Sequence, residues 1–142
     1  MLIQLRYREA AERFAAAAEL VPDSTRPEQR LTYRGRRARA LYRQGDEKGD
    51  NAALKEAIRA YWDLLGAYPR VQVPLDWAMT QNNLGNALWR LGEREAGTAR
   101  LEAARRHIED AWRLYQDAGM EQYDEYFWQR LAAIDRLIAK RQ

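Results

Sequence analysis

Residues 77–93 read WAMTQNNLGNALWRLGE, and the pattern of this stretch recurs along the rest of the chain. The small residue Gly85 recurs as Ala38 and Ala132, each displaced by 47 positions, and Gly92 recurs as Gly45. Three such periods make 141 residues, which nearly equals the chain length of 142. Self-similarity at this spacing is typical of stacked repeat proteins, whose units bury their apolar faces against their neighbours. Other recurring positions are Pro22 and Pro69, Ala10, Ala57 and Ala104, Phe14, Tyr61 and Ile108, and Leu84 and Leu131.

Proline and glycine divide the sequence into six segments with helical periodicity. The predicted helices cover 1–20, 27 to about 44, 51–65, 75–91, 93 to about 118, and about 122–140. Gly45 and Gly92 are interpreted as helix ends, Gly119 as the break after the fifth helix, and Asp50 or Asn51 as an N-cap. Residues 23–25, which follow Pro22, are interpreted as loop and capping residues, and 66–74 as an extended linker. A strand in that linker would lack a partner, so the sequence predicts an all-α chain.

The composition indicates a folded, water-soluble chain. Hydrophobic residues make up 46% of the sequence, but no apolar run is long enough to span a membrane. The first residues, MLIQLRYREAAERF, carry charges where a secretory signal needs an apolar stretch. The chain has no cysteine, which excludes disulfides and thiolate metal sites. We therefore expect a cytoplasmic protein.

Local sequence similarity indicates a family. The string Asn83-Leu84-Gly85-Asn86-Ala87, followed by Gly92, resembles the first helix of a tetratricopeptide repeat (TPR), and GTARLEAA at 97–104 resembles the start of the second. The usual period of that family is about 34 residues, so the chain resembles its long-period bacterial variety. The resemblance implies one TPR-like domain, a right-handed α-solenoid of antiparallel helix pairs. Its parts would be a half-unit at 1–22, repeats at 27–69 and 74–118, and a capping helix at 121–142.

The resemblance also implies a concave groove lined by the first helix of each unit, which would bind a peptide or a partner protein. The residues placed there are Arg36, Arg39, Tyr42 and Arg43 on the second helix, and Asn82, Asn83, Asn86, Trp89 and Arg90 on the fourth. Arginine forks match carboxylates, and asparagine amides can hold a peptide backbone, so an acidic or C-terminal segment is the expected ligand. Three alternatives stay open: Asn83 fixes helix stacking, Trp89 belongs to the core, or the arginines form a solvated face.

Nothing in the sequence favours catalysis, and we expect a protein that is not an enzyme and uses no cofactor. His107 is the only histidine, so it cannot form a metal site by itself, and Ser24 is the only serine. Two other binding roles compete with the peptide adaptor. One is self-assembly through the chain ends, where Tyr123, Tyr126, Phe127 and Trp128 crowd the last helix. The less favoured one is nucleic-acid binding through Arg26–Arg43, a stretch with seven arginines and one acid.

Overall fold

The computed structural model describes residues 2–20, 27–68 and 73–142, and in these ranges every regular element is helical. The prediction of an all-α chain is therefore confirmed for the described residues. Two compact units are present, unit 1 at Met1–Ala67 and unit 2 at Tyr68–Gln142. The helices are α1 (Leu2–Leu20), α2 (Pro27–Lys48), α3 (Asn51–Ala67), α4 (Pro74–Arg94), α5 (Ala99–Asp117) and α6 (Asp124–Lys140), with a 3-10 turn at Glu121–Tyr123 before α6.

Three helix boundaries were predicted wrongly, and all three errors come from the assumption that Gly45 and Gly92 end helices. Helices α2 and α4 continue through Gly45 and Gly92 to Lys48 and Arg94, and α5 starts at Ala99 rather than Glu93. A Cβ at Gly45 would lie 2.9 Å from the backbone nitrogen of Leu54, and a Cβ at Gly92 3.2 Å from that of Leu101. Both glycines therefore permit close contact between helices and do not end them.

Three glycines in the connections that follow helices have left-handed backbone. Gly49 has φ +67° after α2, Gly97 has φ +79° after α4, and Gly119 has φ +74° after α5. Only glycine takes up this conformation without strain. The predicted break at Gly119 is thus confirmed. Asp50 is confirmed as the N-cap of α3, because its Oδ1 accepts a hydrogen bond from the Ala53 backbone N–H at 3.1 Å.

Unit 1 is a bundle of three helices in which α1 packs antiparallel to α2. Tyr7, near the start of α1, lies against Arg43 and Glu47 near the end of α2, whereas Phe14 lies against Arg36, two turns earlier. The next connection spans only 49–50, so α2 and α3 also run antiparallel. The buried core comprises mainly small and aliphatic side chains: Ala11, Ala18, Ala38, Ala40, Leu41, Ala53, Leu54, Ala57, Tyr61 and Leu64.

Unit 2 repeats the close α2–α3 joint in its α4–α5 pair. Gly85 lies against Ala104 and Ile108, where a Cβ would come within 3.1 Å of the Ala104 carbonyl oxygen. Gly92 meets Leu101 as Gly45 meets Leu54, at the 47-residue displacement of the sequence. Helix α6 packs antiparallel to α5, with an ion pair of 2.7 Å between Arg105 and Asp135. The core of this unit is Ala78, Leu84, Ala87, Leu88, Leu91, Leu101, Ala104, Ile108, Ala111, Leu114, Phe127, Leu131 and Ile134.

Arg141 joins the end of α6 to the end of α4. Its Nη1 donates to the carbonyl oxygens of Gly92, Glu95 and Gly97 at 2.7–2.9 Å, and its Nη2 donates to that of Glu93 at 2.8 Å. The last carbonyls of a helix have no partner within the helix and carry partial negative charge. A guanidinium therefore stabilises this helix end by hydrogen bonds and by charge together.

Some of the sequence predictions fall on parts that are not described. The loop and capping residues at 22–25, and Arg26, lie outside the described residues, as do 69–72 of the expected linker. The remaining linker positions are described. Gly66 and Ala67 belong to α3, and Val73 directly precedes α4.

Candidate functional site

Unit 1 carries a groove between α1 and α2, which we call the arginine groove. Its volume is about 380 Å³, and its lining residues are Tyr7, Ala10, Phe14, Arg36, Arg39, Ala40 and Arg43. The three arginines come from one face of α2, because positions separated by three and seven residues align along a helix. Tyr7, Ala10 and Phe14 align on α1 in the same way, so cationic side chains border an aromatic and apolar surface.

The charges in the arginine groove are only partly neutralised. The Arg43 guanidinium lies 5.4 Å from the Tyr7 ring centroid and 3.6 Å from Glu47. The Tyr7 hydroxyl also donates a hydrogen bond to Glu47, and this bond raises the pKa of Tyr7. Arg36 lies 6.0 Å from the Phe14 ring centroid, and among the described residues neither Arg36 nor Arg39 has an acidic partner within 4 Å. Both side chains are exposed, so a carboxylate can reach them from solvent.

Tyr42 does not belong to this groove. It is half-buried on another face of α2, near Tyr61 of α3. Burial raises the pKa of Tyr61, and the neighbouring Tyr42 raises it further. The other arginines predicted for the basic stretch also lie elsewhere, since Arg30, Arg34 and Arg37 are half-buried while Arg36, Arg39 and Arg43 are exposed. The basic residues of α2 therefore do not form one continuous exposed surface.

On α4, two of the predicted ligand-binding asparagines bond to α6 of the same unit. The amide nitrogen of Asn82 donates to the Tyr126 hydroxyl at 2.8 Å. The carbonyl oxygen of Asn86 accepts from Nη1 of Arg130 at 2.9 Å. Both contacts fix α6 beside α4, so these two amides have a structural role in addition to any role in binding.

Arg130 is a member of this cluster that the sequence interpretation missed. Its guanidinium lies 4.2 Å from the Tyr126 ring centroid and 5.8 Å from that of Trp89. Arg90 contacts the same Trp89 ring at 4.7 Å and pairs with Glu93 at 3.0 Å. Trp89 is half-buried and borders a cavity of about 270 Å³ with Arg90, Tyr126, Gln129 and Arg130. Positions 36, 83 and 130 are separated by 47 residues each. The sequence repeat could therefore have identified Arg130 as the equivalent of Arg36 and Asn83.

Asn83 lines a second cavity of unit 2, which we call the aromatic pocket. The pocket has a volume of about 310 Å³, and four aromatic rings contribute to its wall. The lining residues are Met79, Asn82, Asn83, Tyr115, Tyr123, Tyr126 and Phe127. The predicted site residues thus fall into three places: the arginine groove of unit 1, and the Trp89 cluster and the aromatic pocket of unit 2.

Known proteins give no guide to these sites. No protein-family model matches the chain, and no curated protein and no solved structure is significantly similar to it. Within the described ranges, none of the helices combines the length and the apolarity needed to cross a membrane.

Proposed function

We propose that this chain is a non-enzymatic interaction module that binds an acidic segment of a partner protein in the arginine groove. The observation that carries the proposal is the arrangement of Arg36, Arg39 and Arg43 along one border of an open groove with Tyr7 and Phe14 in its surface. Guanidinium groups bind carboxylates bidentately, and aromatic rings supply apolar contact area with little loss of side-chain entropy.

The 47-residue repetition supports a TPR-like architecture for the proposed module. The equivalent joints Gly45–Leu54 and Gly92–Leu101 bring corresponding positions into close contact at the repeat distance, as expected for a duplicated helix pair. A right-handed solenoid, a cytoplasmic location and a bacterial origin belong to the same proposal. Partner binding by the exposed faces of paired helices is how such repeat proteins generally work.

The experiment is a titration monitored by fluorescence anisotropy. The probe is a fluorescein-labelled peptide rich in aspartate and glutamate with two leucines, and the neutral probe replaces each acid with asparagine or glutamine. We expect saturable binding of the acidic probe that weakens as salt rises, because the arginines are exposed and their charges are screened.

The decisive comparison uses two doubly substituted chains. Arg36→Glu with Arg39→Glu removes two cationic partners of the acidic probe, and because an exposed ion pair contributes about 0.2–1 kcal/mol, we expect binding to weaken about twofold to thirtyfold. The matched control is Arg59→Glu with Arg136→Glu, which makes the same change in net charge at exposed positions outside the groove. Equal affinities for the two variants, or equal binding of the acidic and neutral probes, would refute the proposal.

Self-association is the second candidate function. Trp128 is 62% exposed on α6, and Trp62 is 58% exposed on α3, which is unusual for such large apolar side chains. Light scattering over a range of protein concentrations gives the mass directly. A mass that rises with concentration and returns to the monomer value in Trp128→Arg would favour this role, whereas a constant monomer mass would exclude it.

A further inference from the structure

We propose that the aromatic pocket of unit 2 binds the side chain of an arginine presented by a partner polypeptide. This site differs from the arginine groove in its position and in the charge of its ligand, so it goes beyond the function proposed above. The proposal is based on three observations: the aromatic wall, the charge of the surrounding sequence, and an acceptor atom without a partner.

The first observation is the composition of the wall. Tyr115 lies near the centre of the ring cluster, with its centroid 5.1 Å from that of Tyr123 and 5.3 Å from that of Phe127. Tyr126 meets Phe127 edge to face at 5.1 Å. Aromatic faces attract organic cations, and a planar guanidinium can also stack on them. Tyr126 already shows this chemistry, because Arg130 of the same chain lies 4.2 Å from its centroid.

The second observation is the charge around the pocket. Residues 114–129 contain the acids Asp117, Glu121, Asp124 and Glu125 and no lysine or arginine, and residues 74–89 contain only Asp76. The carboxylate of Asp76 acts on the Tyr115 hydroxyl, whose pKa is raised mainly by burial and further by Tyr123, Tyr126 and Asp76. The two other cavities described above are lined by arginines, whereas the aromatic pocket has none. The aromatic pocket therefore has a negative charge near Tyr115, that of Asp76, while Arg130 lies against the Tyr126 ring at its border.

The third observation concerns the Asn82 side chain. Its amide nitrogen donates to Tyr126, while its carbonyl oxygen is buried and has no hydrogen-bond partner among the described residues. A buried acceptor without a donor costs free energy, and because Asn82 lines the pocket, a ligand N–H would recover it if the side chain turns toward the ligand. This favours a cation with N–H groups over a quaternary ammonium, and a guanidinium provides five such donors.

The test uses three small probes that separate the effect of charge from the effect of N–H donors. N-acetyl-arginine amide, N-acetyl-citrulline amide and tetramethylammonium chloride are each titrated into the ¹⁵N-labelled protein and followed by NMR. Citrulline keeps the planar shape of the arginine side chain and removes its charge. We expect the arginine probe to shift the side-chain amides of Asn82 and Asn83 in a saturable way, with much smaller shifts from citrulline.

Variants assign the effect to the pocket. Tyr123 is 41% exposed, so Tyr123→Leu should leave the fold intact and weaken arginine binding about threefold to tenfold. Trp128→Leu removes an exposed aromatic ring from α6 outside the pocket and should leave binding unchanged. Equal shifts from arginine and citrulline, preferential binding of tetramethylammonium, or equal loss in both variants would overturn the proposal. None of these outcomes bears on acidic-peptide binding in unit 1, so the two proposals fail separately.

Discussion

Two glycines of α2 give a sharp test of the close joint between helices in unit 1. Replacing glycine by alanine inside a helix stabilises it by about 1 kcal/mol when the new methyl group meets no other atom. Gly35 satisfies that condition, since a Cβ there has no neighbour within 4 Å. At Gly45 the same methyl group would lie 2.9 Å from the Leu54 backbone nitrogen and against the Leu54 side chain.

The helix-propensity gain is common to both variants, so the difference between them isolates the packing cost. Forcing a methyl group into a filled space costs about 1–3 kcal/mol, and here one of the obstructing atoms is the Leu54 backbone nitrogen, which cannot rotate away as the Leu54 side chain can. We therefore expect Gly35→Ala to be more stable than the parent by about 1 kcal/mol, and Gly45→Ala to be less stable than Gly35→Ala by about 1–3 kcal/mol.

The assay is urea unfolding with 5-fluorotryptophan incorporated and followed by ¹⁹F NMR. Trp62 is the only tryptophan of unit 1, so its resonance reports the unfolding of this unit alone. Far-UV circular dichroism of each variant in the absence of urea controls for loss of helix. Equal midpoints for Gly35→Ala and Gly45→Ala would show that the joint is loose and that our account of Gly45 is wrong.

Three further changes test other contacts. Asp50→Ala should lower the free energy of unfolding by about 1–2 kcal/mol, because Asp50 caps α3 and also binds Arg8 and Gln44 at 3.3 Å. Urea unfolding measures this loss, and Asp63→Ala, at an exposed position, is the control. Arg141→Ala should lower the free energy of unfolding of unit 2 by about 1–3 kcal/mol, and Arg141→Lys should restore only part of this because lysine lacks the guanidinium fork. Thermal melting of the parent chain and the two variants tests this. Equal melting temperatures would contradict the contacts from Arg141 to the end of α4. Burial lowers the pKa of His107 below its ordinary value of 6.5; Asp110 opposes this effect and Arg106 adds to it. On acidification, the unfolded chain therefore binds a proton at a higher pH than the folded chain does. Stability should fall as the pH decreases from 6.5 toward the folded-state pKa. Because the chain has one histidine, its ring resonances follow this titration without assignment, and His107→Gln should abolish that part of the pH dependence.

The helices were predictable from the sequence, but the function of individual glycines was not. Periodic apolar positions and the 47-residue echo predicted six helices, and six are present in the described residues. Glycine can end a helix, or it can permit close contact between two helices. The sequence pattern alone does not distinguish these two roles. Gly45 and Gly92 have the second role, while Gly49, four residues after Gly45, directly follows the end of α2.

The candidate sites were predictable in part. The spacing of Arg36, Arg39 and Arg43 correctly placed them on one helix face, and the structure adds Tyr7 and Phe14 of α1 as the opposite side of a groove. The bonds of Asn82 and Asn86 to Tyr126 and Arg130 were not predicted, because each joins residues 44 positions apart in different helices. Helix periodicity describes one element at a time, and such contacts depend on how two elements meet.

The four carbonyl contacts of Arg141 have a consequence for the order of folding in unit 2. The joint between Gly92 and Leu101 closes a loop of a few residues, whereas the bond from Arg141 to Gly92 joins residues 49 positions apart. Closing a longer loop costs more chain entropy, and contacts that are distant in sequence form more slowly. We therefore expect the α4–α5 hairpin to assemble first and α6 to dock last. In the reverse direction, α6 would be the first helix to detach when the protein is strained or heated.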